Sequence, residues 1–367
     1  MNSELTYQLS LCHVPYIGYV HAKKLCDTFG SASAIFNARQ CDLEKIENIG
    51  EIKAKSIRSF RDFSKAEKEI RFIEKYGIKP LFITDADYPQ RLLNCFDPPV
   101  MLFYKGNADL NASKVIAIVG TRNHTEYGKY FTEKFVKALT RLNLIIISGL
   151  AFGIDSIAHK SSLKYGIPTI GVVGHGLDTI YPEENANLAK QMISEGGLLT
   201  EFRSNTKPDK YNFPRRNRIV AGISDATIVI ESGLKGGSNI TANLAWDYHR
   251  DVFAVPGRNI DLKSEGCNRL IRENKAILLD DPEQFIETMG WNDQERKKEM
   301  LQRRMFAEFT EDEKKILELL RKNKTTGIED LNLNCGVSSS NIASALLNLE
   351  MQGVLKVMPG KRYTLID

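Results

Sequence analysis

Val115-Ile116-Ala117-Ile118-Val119-Gly120-Thr121-Arg122 sets five apolar residues in a row, then a glycine, a small hydroxyl residue and a cation. An unbroken apolar run this short, rich in β-branched side chains, reads as a strand buried on both faces. The pattern recurs at Leu144–Ser148, Thr169–Val173, Ala226–Ile230 and Val252–Val255. Amphipathic helices are expected between them, over Tyr127–Leu142 and Ile154–Tyr165. Near-continuous aliphatic strands alternating with helices mean a parallel sheet covered on both faces. Residues 114–290 are therefore read as α/β, a Rossmann-like doubly wound parallel sheet.

Such a sheet presents ligands at the carboxyl ends of its strands. Four motifs fall there. Gly120-Thr121-Arg122 follows the first strand and places a cation at its tip, a residue type suited to binding an anion. Ser148-Gly149-Leu150-Ala151-Phe152-Gly153-Ile154-Asp155 opens a helix whose first N–H groups are free. The plainer reading is a glycine-rich turn, with Asp155 as a cap and His159 as packing. Gly174-His175-Gly176-Leu177-Asp178, with Tyr181-Pro182, follows the third strand. The fourth motif runs from Lys207 to Arg218: Lys207, Lys210, Arg215, Arg216 and Arg218 stand against Asp209, with Tyr211, Asn212, Phe213 and Asn217 interleaved. Cations beside aromatic faces suit single-stranded nucleic acid; a solvated loop with Phe213 as a core plug is the alternative. Downstream, Lys235-Gly236-Gly237-Ser238 makes another glycine-rich turn, with Ser238 as the expected N-cap. No G-x-G-x-x-G follows the first strand and no G-x-x-x-x-G-K-[ST] occurs, so no nucleotide cofactor is expected.

Two units flank the sheet. Residues 1–77 read as all-helical and contain two related segments. Val14-Pro15-Tyr16-Ile17-Gly18 precedes His21–Leu25, and Ile46-Glu47-Asn48-Ile49-Gly50 precedes Lys53–Ile57. Both resemble the helix-hairpin-helix (SAM-like) motif, in which a glycine turn aims backbone N–H groups at a DNA phosphate. Tyr16 and Asn48 stand where the motif's first glycine is usual, and a module that only packs is the alternative. Residues 78–113 are a connector broken by Pro89, Pro98 and Pro99, with a strand at Val100–Tyr104; with the sheet they make a unit of residues 78–290. A charged linker, 291–305, leads to residues 306–367. These open on a capping box, Thr310-Glu311-Asp312-Glu313, and read as three helices and a β-hairpin, a winged helix.

Composition adds bounds. At about 150 residues per domain, 367 residues make two or three domains. With 42% hydrophobic and 26% charged residues, a disordered chain, a collagen and a disulfide scaffold are excluded. The net charge of +4 identifies no partner, so any basic site must be local. No apolar run approaches the roughly 18 residues of a membrane span. The segment MNSELTYQLS lacks a basic n-region. The six cysteines form no C-x-x-C and are read as reduced core thiols of a cytoplasmic protein without structural zinc.

Taken together, the motifs resemble the DprA (Smf) family of DNA-processing proteins of natural transformation. The resemblance rests on Ala117–Arg122, Ser148–Asp155, Ala158-His159, Gly176-Leu177-Asp178, Tyr181-Pro182, Phe213–Arg218 and Phe253-Ala254-Val255-Pro256-Gly257. Tyr88-Pro89, Pro98-Pro99 and the winged-helix tail also fit. The resemblance implies a mediator that binds single-stranded DNA, loads RecA recombinase on it, works as a homodimer and catalyses no reaction. It places the family's G-[ST]-R arginine at Arg122 and its Arg-Asn-Arg at Arg216, Asn217 and Arg218. The residues expected to meet DNA are Gly120, Thr121, Arg122, Ser148, Gly149, Gly153, Gly174, Gly176, Lys207, Lys210, Asn212, Phe213, Arg215, Arg216, Asn217, Arg218, Gly237 and Ser238. The alternative is a nucleotide-binding protein or phosphoribohydrolase on the same fold, whose signature is G-G-x-G-T-x-x-E. Here Gly236-Gly237-Ser238-Asn239-Ile240-Thr241-Ala242-Asn243 puts Asn243 at the catalytic Glu, and an amide is no general base.

Overall fold

The computed structural model describes residues 3–292, 309–322, 326–352, 354–358 and 362–365. The expected linker lies outside the described residues from position 293 onward, as does the turn at Pro359-Gly360. The chain divides into two compact units, Met1–Phe285 and Ile286–Asp367.

The first unit opens with six helices: α1 (Glu4–Leu11), α2 (Tyr19–Phe29), α3 (Ala32–Asn37), α4 (Gln40–Glu44), α5 (Glu51–Ser59) and α6 (Ser64–Tyr76). The two hairpins superpose residue for residue in their bonding. Ile17 N–H donates to Val14 O and Ile49 N–H to Ile46 O; Ala22 N–H donates to Gly18 O and Ala54 N–H to Gly50 O. Tyr16 and Asn48 take left-handed backbone, φ 67° and 66°. They adopt the conformation that glycine usually supplies at that place, which asparagine tolerates far better than tyrosine.

There follow β1 (Lys79–Phe82), α7 (Gln90–Leu93), β2 (Met101–Gly106), β3 (Val115–Val119), α8 (Glu126–Ala138), β4 (Ile145–Ser148), α9 (Ile154–Lys164), β5 (Thr169–Val172), α10 (Ala186–Glu195), β6 (Gly196–Thr200), α11 (Asn212–Ile223), β7 (Ala226–Val229), α12 (Gly237–Asp247), β8 (Asp251–Ala254), α13 (Glu265–Arg272), β9 (Ile277–Leu278) and α14 (Pro282–Thr288). The sheet order is β1-β2-β6-β5-β4-β3-β7-β8-β9. From β6 to β9 all pairings are parallel. The expected wholly parallel sheet is corrected at one edge, where β1 and β2 run antiparallel. Neither β1 nor β6 is legible as a strand. Pro80 is tolerated because β1 is an edge. Gly196 and Gly197 are required by close neighbours: a Cβ at Gly197 would meet the Tyr104 ring at 2.4 Å, and one at Gly196 would meet Thr169 O at 2.0 Å.

Right-handed crossovers put α8, α9 and α10 on one face and α11 and α12 on the other. Side chains alternate accordingly, and Val115, Ala117 and Val119 share a core with Ile219, Val220, Ala242 and the helical segment's Leu25, Ile49 and Ile57. The order reverses at β3: successive strands run outward through β4 to β6, then restart at β7 on its other side.

The second unit has α15 (Glu311–Lys322), β10 (Thr326–Gly327), α16 (Ile328–Asn334), α17 (Ser339–Met351), β11 (Leu355–Met358) and β12 (Arg362–Leu365), with strand order β10-β12-β11. This is a winged helix around Ile316, Leu320, Leu331, Ile342, Leu346 and Leu349. The capping box forms: Thr310 N–H donates to Glu313 Oε2 at 2.8 Å, and Glu313 N–H to Thr310 Oγ1 at 3.3 Å. All six cysteines are unpaired; against expectation, Cys12 and Cys41 are exposed rather than in the core.

Candidate nucleic-acid interface

A crevice of about 720 Å³ opens at the switch point beside β3. Its wall takes Gly120, Thr121 and Arg122 from the tip of β3, Gly149 and Ala151 from the tip of β4, and Gly236, Gly237 and Ser238 from the start of α12. Arg216 and Asn217 of α11 line it from across, with Lys210 and Phe213 at its mouth.

The turns that build this wall admit little else. A Cβ on Gly120 would lie 2.5 Å from Ile154 Cγ1. One on Gly149 would lie 2.3 Å from Asp155 Oδ2 and 2.8 Å from Arg216 Nη2. Gly153, at φ 77°, places its α-carbon where a Cβ would meet Thr121 O at 2.3 Å. One residue that sequence reasoning passes over, Glu231, braces the loop after β3. Glu231 O accepts the Thr121 N–H at 2.8 Å, and the Glu231 carboxylate accepts the Thr125 N–H at 2.9 Å.

Arg216 is 6% exposed, and its guanidinium donates to Val172 O and Asn217 Oδ1. Asp155 lies beside it, buried; burial pushes the carboxyl up while Arg216 and the Ala151 N–H oppose the shift. Asp155 is thus part of the crevice wall as well as an acceptor for the turn, at 3.4 Å from Ala151 N. Arg122 is exposed and stands over the Phe213 ring, 5.6 Å from its centroid. Tyr181 lies 5.9 Å from the same ring and joins Phe152 in a shallow extension of the crevice with Gly174. Phe152 and Tyr181 are half exposed and were not among the expected residues. An aromatic residue inside a glycine-rich strand-tip turn is the signal that marks them. At α12 the N-cap is Gly236, not Ser238; Ser238 sits in the first turn and donates to Ser232 Oγ at 2.9 Å. The helix start therefore keeps its N–H groups free of a side-chain cap.

The expected set is thus divided. Gly120, Thr121, Arg122, Gly149, Lys210, Phe213, Arg216, Asn217, Gly237 and Ser238 come together. Gly174 reaches the extension. Ser148 is buried and donates to Ile118 O across the strands. Gly153 does not line the crevice but packs directly behind Thr121 and Arg122, which do; Gly176 shapes a turn away from the wall, where a Cβ would meet Asp178 Oδ1 at 2.4 Å. Asn212 bonds back to Lys207 O at 3.4 Å, and Lys207 is exposed beyond the wall. Arg215 and Arg218 face another way, toward Glu201, at 3.4 and 2.6 Å. Arg218 also reaches Asp97 and lies over the Tyr19 ring of α2, 4.6 Å from its centroid. The run read as one basic cluster is split because Asn212 starts a helix, which turns neighbouring side chains to different sides. Asn243 is not on the wall: it donates to Asn239 O at 2.8 Å and accepts from Lys275 Nζ at 3.1 Å. His159, buried against Thr169 and Gly149 O, packs.

Among the described residues no helix is long and apolar enough to cross a membrane. Residues 79–290 match the family model of DNA recombination-mediator protein A. Residues 7–70 match a helix-hairpin-helix motif, and 307–361 the DprA winged helix domain. The chain is 32% identical to Protein Smf of Synechocystis over 99% of both chains. It is 42% identical to DNA processing protein DprA of Bacillus subtilis over 59% of this chain and 73% of that one. Among solved structures it is similar to DprA of Streptococcus pneumoniae, with a TM-score of 0.65 and 33% identity over 76% of this chain and 95% of that one. DprA of Helicobacter pylori, described for its single-stranded DNA binding mode, matches with a TM-score of 0.53 and 31% identity over 58% and 96%. The chain belongs to the DprA (Smf) family of DNA recombination-mediator proteins.

Proposed function

We propose that the crevice holds single-stranded DNA and that the chain, as a homodimer, delivers that strand to RecA recombinase during natural transformation. One observation carries the strand-binding part. Arg122, Arg216 and the uncapped start of α12 converge on one crevice whose rim carries Phe152, Tyr181 and Phe213. Free N–H groups and guanidinium donors take phosphates, and the exposed rings of Phe152 and Tyr181, beside the half-buried Phe213, take unstacked bases. Duplex DNA offers no unstacked base, so it gains only the charge term. The single-stranded DNA binding described for the Helicobacter pylori relative supports the same reading. The homodimer and RecA rest on family membership.

Fluorescence anisotropy with a single strand and its duplex over a salt series tests the binding. With about five phosphates neutralised, log K falls against log salt with a slope of roughly −3.5. Equal affinity for duplex, or a slope near zero, overturns the reading. Sedimentation of the free chain tests the dimer, and the rate of RecA filament nucleation on the bound strand tests loading.

A further inference from the structure

α6 carries a carboxylate where its packing pattern asks for an apolar side chain. Its buried residues are Ala66, Glu69 and Ile73, three and four apart on one face. Glu69 is 5% exposed. A buried carboxylate is costly unless its oxygens are hydrogen-bonded. Both are, and to a single residue 135 positions away: Oε1 accepts the Ser204 N–H at 2.9 Å and Oε2 the Ser204 hydroxyl at 2.6 Å.

Ser204 lies in the segment joining β6 to α11, whose far end, Pro208, Asp209 and Lys210, walls the crevice. Its neighbours are gripped as well. Arg203 Nη1 lies 2.9 Å from His13 Nε2. Asn205 N–H donates to Asp178 Oδ1 at 2.9 Å, and Thr206 O accepts the Gly176 N–H at 3.0 Å. Beyond this clamp the bonds turn local, with Asp209 Oδ1 accepting the Tyr211 N–H at 2.8 Å. The exposed Lys207 and Lys210 therefore extend from an anchor held by two carboxylates, Asp178 of the sheet unit and Glu69 of the helical segment.

We propose that Glu69 is a positioning residue for strand binding: through Ser204 it holds the basic β6–α11 segment in place, with Lys210 at the mouth of the crevice and Lys207 just beyond it. The inference rests on the crevice being the single-strand site. A segment ordered before binding forfeits no affinity to ordering it afterwards. Glu69 acts only through Ser204, and the helical segment gains a role in strand binding without contacting the strand at this residue.

The full chain and its Glu69→Ala, Glu69→Gln and Ser204→Ala variants decide the matter in two measurements. Hydrogen exchange without DNA reads the order of residues 203–211, and anisotropy with a labelled oligothymidine reads affinity. Glu69→Ala is expected to speed exchange in 203–211 about tenfold, leave the strands of the sheet unchanged, and weaken binding about fivefold or more. Glu69→Gln keeps an acceptor for the Ser204 amide and should restore affinity to within about twofold. Unchanged exchange in 203–211 overturns the proposal, and so does faster exchange there with unchanged affinity. If Glu69→Ala loosens the whole chain, Ser204→Ala, which leaves α6 intact, must move both readouts in the same direction; no movement overturns the proposal. Failure of the unaltered chain to bind the strand overturns the proposed function itself, whereas tight binding indifferent to these variants overturns only the role of Glu69.

Discussion

Arg216 and Arg218 stand two positions apart on α11, about 200° around the helix, and so serve different parts of the molecule. Arg216 faces the crevice with Asp155; Arg218 closes a buried ion pair with Glu201 and Asp97. Removing one partner of a buried pair strands the other charge, at a cost of about 3–5 kcal/mol. Arg218→Ala should therefore lower the melting temperature while folded protein keeps its strand affinity within about threefold. Arg122→Ala should do the reverse, weakening the strand about tenfold at an unchanged melting temperature, because Arg122 is exposed and stands over an aromatic face, with no ion pair among the described residues. Thermal denaturation and anisotropy on the two variants check both; matching effects would show that the arginines share one role. His159 makes a pH prediction. Burial lowers it from 6.5 to about 4. Below its ordinary value the unfolded chain takes up a proton that the folded chain refuses, so this contribution is whole above the unfolded value and drains away as pH falls toward the folded one. Between about pH 7 and pH 5 the loss is about 2 kcal/mol. Urea unfolding at both pH values should show that much less dependence in His159→Asn than in the unaltered chain.

The strand-tip turns of β3 and β4 bring Gly120 and Gly149 against side chains that have nowhere to go. Asp155 and Arg216, both within 3 Å of where a Gly149 Cβ would sit, are buried. Gly149→Ala should cost about 1–3 kcal/mol by overpacking and reduce strand binding by displacing Arg216. Chemical denaturation alongside anisotropy measures the two effects, and a variant of native stability and affinity would show that the wall is slack. These elements were legible because aliphatic runs and glycine pairs are local signals. So were the paired hairpins, through the repeat of Val14–Gly18 in Ile46–Gly50. The elements that stayed hidden depend on distant partners. β6 begins with two glycines because Tyr104 and Thr169 crowd them, and β1 tolerates Pro80 because it is the edge strand of the sheet among the described residues. The basic run between Lys207 and Arg218 was legible as charge but not as direction. Its division is decided by the helical phase of α11 and by acidic residues, Glu201 and Asp97, that sit far off in sequence. Phe152 and Tyr181 stand inside the sequence motifs but not among the expected contacts, because their value lies in exposure beside Phe213, a property of the fold.

Across the whole molecule the cations are nearly balanced, and what matters is which unit presents them to a phosphate chain. In the winged helix, α17 occupies the position from which such a domain ordinarily reads the major groove. Between Ser338 and Gln352 it has no lysine or arginine, and its single charge is Glu350. The residues it exposes include Ser339, Asn341 and Ser344, with Leu347 and Met351, the last two 58% and 70% exposed. Asn341 is engaged with Asp312 at 3.1 Å. A helix face of this kind forfeits the counterion-release term that supplies most non-specific affinity for nucleic acid. The wing carries Lys356, which is exposed, with Lys361 and Arg362 in its sequence, enough for weak backbone contact only. The crevice, by contrast, lies wholly in the unit Met1–Phe285, which has its own continuous core. Truncation after Trp291 keeps that unit and all of α14. It should leave single-strand affinity within about threefold of the full chain, less than about 1 kcal/mol. The measurement is anisotropy at one salt concentration on truncated protein whose circular dichroism shows an intact α/β fold. A loss of about tenfold or more in that protein would transfer part of the strand site to the winged helix, since it would require an interaction of about 1.4 kcal/mol that the crevice does not supply.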